Sequence, residues 1–185
     1  GAALLLSLTR HIPQAYLRTK TANFNIDGLT GRDLHGLTAG ILGTGKIGQI
    51  MAGILKGYGM KIIAYDPYPN EKWAGETGAT YVSKEEIFRQ SDVLSLHCPL
   101  TEETKHIVNH DTMKMMKQDA VIINTGRGAL IMTDDVLARL LTFPNVIITG
   151  HQAFLTTNAL KNLADTTLEN IKAFAGGEEL VNEVK

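Results

Sequence analysis

The sequence is short of most features that would set it apart from ordinary globular chains. It has one cysteine, Cys98, in 185 residues. An internal disulfide is therefore impossible, no metal-type Cys/His spacing appears, and the chain reads as one from a reducing compartment, the cytoplasm by default. An excess of one charge is also missing. Eighteen basic residues against 19 acidic ones give a net charge of -1 with no Lys/Arg block, so the electrostatic footprint of a nucleic-acid or anionic-membrane partner is absent. The apolar run at residues 2–6 falls far short of the roughly 20 residues a bilayer span needs, and it lacks the basic segment of a signal peptide. There is no initiating methionine, and the chain opens inside an apolar helical pattern, as a fragment of a longer polypeptide does. What is present is 44% hydrophobic and 20% charged, enough for a packed core of about one domain. Small-molecule chemistry is the function class left open.

Leu4, Leu5, Leu8, Ile12, Ala15 and Tyr16 recur at helical spacing, predicting an amphipathic helix with a kink or break at Pro13. Residues 21–36 read as a connector rich in Asn, Asp and Gly. Five continuous apolar runs follow, at 39–42, 62–65, 93–96, 120–123 and 146–148, the pattern of strands buried on both faces. Helical stretches alternate with them. Residues 46–58 place Ile47, Ile50, Met51, Ile54 and Leu55 on one expected core stripe, and Ser83-Lys84-Glu85-Glu86 matches a capping box. A last helix is expected over about 156–174, with Gly176-Gly177 as its stop. The fold class is α/β, a doubly wound parallel sheet with helices on both sides.

Gly43-Thr44-Gly45-Lys46-Ile47-Gly48 matches G-x-G-x-x-G after the first strand and at the mouth of a helix. A lone pattern of this kind is often only a turn. In this context Gly43 would serve a tight turn, Gly45 the approach of backbone to a pyrophosphate, and Gly48 close packing of helix on strand. Asp66 closes the second strand, 18 residues after Gly48, near the spacing at which a carboxylate accepts the adenosine ribose hydroxyls and repels a 2'-phosphate. The alternative for Asp66 is a solvated turn residue before Pro67. With the whole strand-loop-helix-strand unit in place, the reading is NAD(H) in preference to NADP(H).

Open parallel sheets bind ligands beyond the carboxyl ends of their strands. Three such ends carry polar residues: His97-Cys98-Pro99-Leu100, Asn124-Thr125-Gly126-Arg127-Gly128 and Thr149-Gly150-His151-Gln152. Arg127, between two glycines, has a planar fork suited to a carboxylate, or is a surface turn residue. His151 alone among six histidines follows directly on a strand and a glycine, the position of a proton donor to a carbonyl under reduction. His97 fits either the cleft or a structural role.

These motifs, together with Tyr65-Asp66-Pro67-Tyr68-Pro69 and the continuations Ala129-Leu130-Ile131 and Ala153-Phe154-Leu155-Thr156, resemble the D-isomer-specific 2-hydroxyacid dehydrogenases, nearest to their fermentative D-lactate-forming branch. The likeness covers nearly the whole chain. It implies a Rossmann-type cofactor domain of a two-domain enzyme, NAD as cofactor, pyruvate and D-lactate as the small-molecule pair, and a homo-oligomer. It also implies Gly43, Gly45, Lys46, Ile47 and Gly48 at the pyrophosphate, Asp66 at the ribose, Cys98 and Pro99 on the adenine side, and Thr125, Gly126 and Arg127 near the nicotinamide. Arg127 and His151 would be the catalytic pair.

Two departures from the family pattern stand out. The substrate domain that precedes the first helix in the family is absent. Between Ile131 and Val146 the family carries a further helix, a strand and a loop with the glutamate that partners the catalytic histidine, whereas here Ile131-Met132-Thr133 runs almost directly into Asp134-Asp135-Val136-Leu137. No residue of this sequence can be assigned the glutamate's role, as expected either of a sequence that omits stretches of a longer polypeptide or of a shortened cofactor domain. The resulting organisation is a leading helix at 1–20, a cofactor domain at 21–155 with a gap after Ile131, and a helix with its tail at 156–185.

Overall fold

The computed structural model describes residues 1–132, 145–152, 155–178 and 180. They fall into two compact units, Gly1–Ile148 and Thr149–Lys185. The first opens with α1 (Ala2–Thr9) and α2 (Ile12–Lys20). The break between them lies at Arg10 and His11, whose φ of +52° turns the chain, and Pro13 sits in the first turn of α2, where its missing N–H costs nothing. Proline thus starts the second helix and does not kink a single long one.

Five parallel strands follow: β1 (Thr38–Leu42), β2 (Lys61–Tyr65), β3 (Thr80–Tyr81), β4 (Val93–Leu96) and β5 (Val121–Asn124), in the order β3-β2-β1-β4-β5. The order reverses between β1 and β4, so a crevice opens at their carboxyl ends. Between the strands run α3 (Lys46–Gly57), α4 (Glu71–Thr77), α5 (Lys84–Gln90) and α6 (His110–Met115). Two buried clusters line the two faces. Leu5, Met51, Ala52, Leu55, Trp73 and Ala74 pack with Ala39 and Ile41 on one, and Ile87, Phe88, Ile107, Val108 and Leu130 pack with Leu42, Leu94 and Leu96 on the other.

Three sequence expectations need adjustment. Residues 146–148 form no strand; Val146 and Ile147 border a cavity of about 150 Å³ that also touches β5, and a gap of that kind leaves no ladder bonds. On α3 the core takes Gly48, Met51, Ala52 and Leu55, a set at helical spacing, while Ile47, Ile50 and Ile54 lie about a third of a turn round the helix and are exposed. The edge strand β3, only two residues long, was not foreseen because it is too short to show a period. The capping box on α5 is present in both directions, with Ser83 Oγ accepting from Glu86 N at 3.2 Å and Glu86 Oε2 from Ser83 N at 2.9 Å.

In the second unit, α7 (Thr157–Gly176) is capped by the Thr156 hydroxyl and ends at Gly177 with φ +67°. Asp134-Asp135-Val136-Leu137, Ala153, Phe154 and the tail at 181–185 lie outside the described residues. Among the described residues no helix is long and apolar enough to cross a membrane, and no group of three or more His, Cys, Asp or Glu side chains is placed to hold a metal.

Candidate cofactor cleft

A cleft of about 860 Å³ lies at the carboxyl ends of β1, β2 and β4, bordered by Gly43, Gly45, Asp66, His97, Cys98 and Pro99 among others. Its size suits a cofactor or small ligand. The loop from β1 into α3 is tightly constrained. Gly43 has φ +96°, and a Cβ there would stand 2.6 Å from the backbone nitrogen of Cys98. A Cβ on Gly48 would stand 2.0 Å from the carbonyl oxygen of Gly43, so any side chain would push α3 off the loop. Gly45 is the opposite case, since a Cβ would meet nothing within 4 Å. It is the N-cap of α3 and contributes no side-chain cap, and the two exposed residues after it, Lys46 and Ile47, begin the helix. Uncapped N–H groups of a helix's first turn beside open space fit an anionic group.

Asp66 follows β2 and borders the same cleft. Its Oδ2 accepts from Thr44 N at 2.6 Å and from Thr44 Oγ1 at 3.1 Å, and its Oδ1 from Tyr68 N at 2.9 Å. A carboxylate has about four acceptor positions, so one, on Oδ1, is open. Gly45 and Asp66 therefore suit a dinucleotide, whose pyrophosphate needs bare backbone and whose ribose needs acceptors.

The opposite wall is formed by His97, Cys98 and Pro99. His97 Nε2 lies 2.8 Å from Ser95 Oγ, and burial pushes the imidazole down to about 4, so it is neutral at physiological pH. Cys98 is half-buried, and burial, aided by the nearby Asp66 charge, pushes its thiol up. A protonated thiol is a packing surface and a poor nucleophile.

At the end of β5, Asn124 shapes the next turn, its Oδ1 accepting from Gly126 N at 3.0 Å and its Nδ2 donating to the carbonyl of Arg127 at 2.9 Å. Thr125 and Arg127 are exposed, and among the described residues Arg127 pairs with no carboxylate. All the expected cofactor residues thus belong to the first unit. His151 belongs to the second, where it is exposed, adopts φ +56° and donates its N–H to the carbonyl of Thr149 at 2.9 Å. Sequence reasoning passed over Thr44 and Tyr81, both bonded into the Asp66 corner. Their chemistry-neutral residue types gave no signal, although Thr44 stands inside the glycine motif.

Residues 2–142 match the family model for the D-isomer specific 2-hydroxyacid dehydrogenase, NAD binding domain. The chain is 41% identical over 218 residues to D-lactate dehydrogenase of Escherichia coli (strain K12), covering 98% of this chain and 66% of the relative. That aligned length exceeds the 185 residues of the chain, so the relative carries residues inside the matched region that have no counterpart here. The apo structure of D-lactate dehydrogenase from Escherichia coli superposes with a TM-score of 0.94 at 43% identity, covering 100% of this chain and 66% of that one. D-Lactate dehydrogenase from Aquifex aeolicus, complexed with NAD and lactic acid, gives 0.88 at 31% identity, covering 95% and 65%. The chain therefore spans just under two thirds of the length of these relatives, and it belongs to the D-isomer specific 2-hydroxyacid dehydrogenase family, of which residues 2–142 are the NAD binding domain.

Proposed function

We propose that this chain is the cofactor-binding part of an NAD-dependent D-lactate dehydrogenase, which reduces pyruvate to D-lactate. The observation that carries the reading is the meeting, in one cleft, of the open Gly45 backbone and the hydrogen-bonded Asp66 carboxylate, in a chain of this family. When bound, NADH supplies the hydride. The chain's own residues bind, orient and move the proton. Gly43, Gly45 and Gly48 shape the loop on which the pyrophosphate rests against Lys46 and Ile47. Asp66 accepts a ribose hydroxyl at its open Oδ1 position and opposes a 2'-phosphate, and Cys98 and Pro99 flank the adenine side. Thr125, Gly126 and Arg127 border the nicotinamide end. The Arg127 guanidinium holds the substrate carboxylate and polarises its carbonyl, and His151 delivers one proton to the carbonyl oxygen.

In this reading the interior shortfall falls after Ile131, where the family carries the glutamate of its catalytic histidine. A homo-oligomer belongs to the same proposal, supported by the exposed stripe Ile47, Ile50, Ile54 and Tyr58 on and just after α3. So does a cytoplasmic location, supported by the single cysteine. Two rivals remain: a 2-hydroxyacid dehydrogenase with a larger side-chain pocket, and a non-catalytic NAD(H) sensor of the same fold. The joint presence of Arg127 and His151 favours catalysis over sensing.

The test is a titration of the chain with NADH and NADPH, then assays of the polypeptide that carries it with pyruvate and with an aromatic 2-oxo acid. Tighter NADH binding and D-lactate formation that His151→Gln lowers by about 10²–10⁴-fold are expected. Preference for the aromatic acid would transfer the reading to the first rival. NADH binding without reduction of either acid would transfer it to the second.

A further inference from the structure

The corner that fixes Asp66 extends beyond the glycine loop. Thr44 Oγ1 lies 3.1 Å from Asp66 Oδ2 and 2.8 Å from the hydroxyl oxygen of Tyr81, which in turn accepts from Asn70 N at 2.9 Å. The direction of each bond follows from the inventory of protons. An ionised carboxylate only accepts, so the single hydroxyl proton of Thr44 points at Asp66. Thr44 must then accept from Tyr81, and the oxygen of Tyr81 is left to accept from the backbone of Asn70. The result is a one-way relay, from Asn70 N–H through the Tyr81 and Thr44 hydroxyls to the carboxylate.

Both ends of the relay are anchored. Asn70 is the N-cap of α4, its Oδ1 accepting from Trp73 N at 3.0 Å, and Tyr81 sits opposite Ala64 in the β2–β3 pairing. The Tyr81 ring meets buried Trp73 edge-on, with centroids 6.1 Å apart. The phenol oxygen therefore has a fixed place.

We propose that Tyr81 is a positioning residue for cofactor choice: by donating to Thr44 it locks the Asp66 carboxylate at the ribose end of the cleft, where it favours NAD(H) over NADP(H). The proposal rests on the NAD(H) reading of the cleft. A carboxylate rejects a 2'-phosphate only while it cannot swing away, since discrimination against a competitor needs the repelling group held in place. Fixing it beforehand also spares NADH the cost of ordering it. With the Tyr81 hydroxyl removed, Thr44 Oγ1 loses the donor that fixes its rotamer, so its bond to Asp66 is held less firmly.

The experiment is titration of the chain with NADH and with NADPH, followed through the fluorescence of its one tryptophan, Trp73. Wild type, Tyr81→Phe, Thr44→Val, Asp66→Ala and the double variant Tyr81→Phe/Asp66→Ala are compared, with thermal melts to register folding. Tyr81→Phe keeps the ring against Trp73 and is expected to weaken NADH about three- to tenfold, the worth of one hydrogen bond, while NADPH binding stays level or tightens. Thr44→Val, which breaks the relay at its middle, should narrow the preference in the same way. In the Asp66→Ala background the further loss of the Tyr81 hydroxyl should change NADH affinity less than twofold, because the group it positions is gone. Equal weakening of both cofactors by Tyr81→Phe, or an undiminished loss in the Asp66→Ala background, overturns the role of Tyr81 and leaves the cofactor reading standing. A wild-type chain that binds neither cofactor overturns both.

Discussion

β1 is hydrogen-bonded on both sides, to β2 and β4, and four of its five residues are buried; β5 has β4 alone beside it among the described residues, and one buried residue in four. The contrast continues into the turns that leave these strands. After β1, Gly43 and Gly48 are pinned by backbone contacts and Thr44 is bonded to both Asp66 and Tyr81. After β5, one side chain, that of Asn124, holds the turn on which exposed Arg127 sits. The glycine-loop end of the cleft is therefore organised by the chain's own packing before any ligand arrives, whereas the turn that carries Arg127 is held mainly by the two bonds of one amide side chain. α7 stands further along the same scale, with no buried residue and with Leu163 60% and Phe174 76% exposed.

The contrast is sharpest in the core beneath the cleft. Phe88, fully buried on α5 among Leu94, Leu96 and Val108, should destabilise the first unit by about 3–5 kcal/mol when replaced by alanine. Urea melts of Phe88→Ala that lose less than about 1 kcal/mol would show that this side of the sheet is not the rigid one.

An intermediate effect is expected at the opposite end of the sheet. Asp92 Oδ1 accepts from Arg32 and Lys117, each at 2.9 Å, and its Oδ2 accepts from Thr38 N at 2.8 Å. Burial by itself would raise this carboxyl, but the Thr38 N–H, Lys117 and Arg32 outweigh it and hold it below the ordinary carboxylate range. A depressed folded value means that the contribution is fully present above the unfolded pKa of about 3.9 and is lost as pH falls through the folded value. Asp92→Asn should cost about 2 kcal/mol at neutral pH and flatten the acid limb of the stability curve. Parallel acid limbs in the two proteins would remove Asp92 from this account.

The smallest effect belongs to α7, where Leu163→Ala should change the melting free energy by no more than about 0.5 kcal/mol, since it removes no buried contact within the described residues. A larger loss would mean that the face of α7 is covered in solution, and the difference between the two regions would shrink accordingly.

Much of this was legible in the sequence because it depends on local patterns. Continuous apolar runs located the four longer strands, Ser83-Lys84-Glu85-Glu86 announced the start of α5, Gly177 marked the end of α7, and the loop 43–48 with Asp66 stood at the spacing a dinucleotide requires. These features arise from backbone propensity, side-chain periodicity and the bare backbone of glycine, all carried by neighbouring residues. Tertiary structure alone decided which face of α3 is buried, since Met51 and Ile50 are equally apolar and only the sheet distinguishes them. It also withheld a strand from residues 146–148, because a strand exists only where a partner lies within hydrogen-bonding reach. And it brought Thr44, the loop holding Asp66 and Asn70, and Tyr81 into one relay from three separate segments, a juxtaposition that no spacing along the chain encodes.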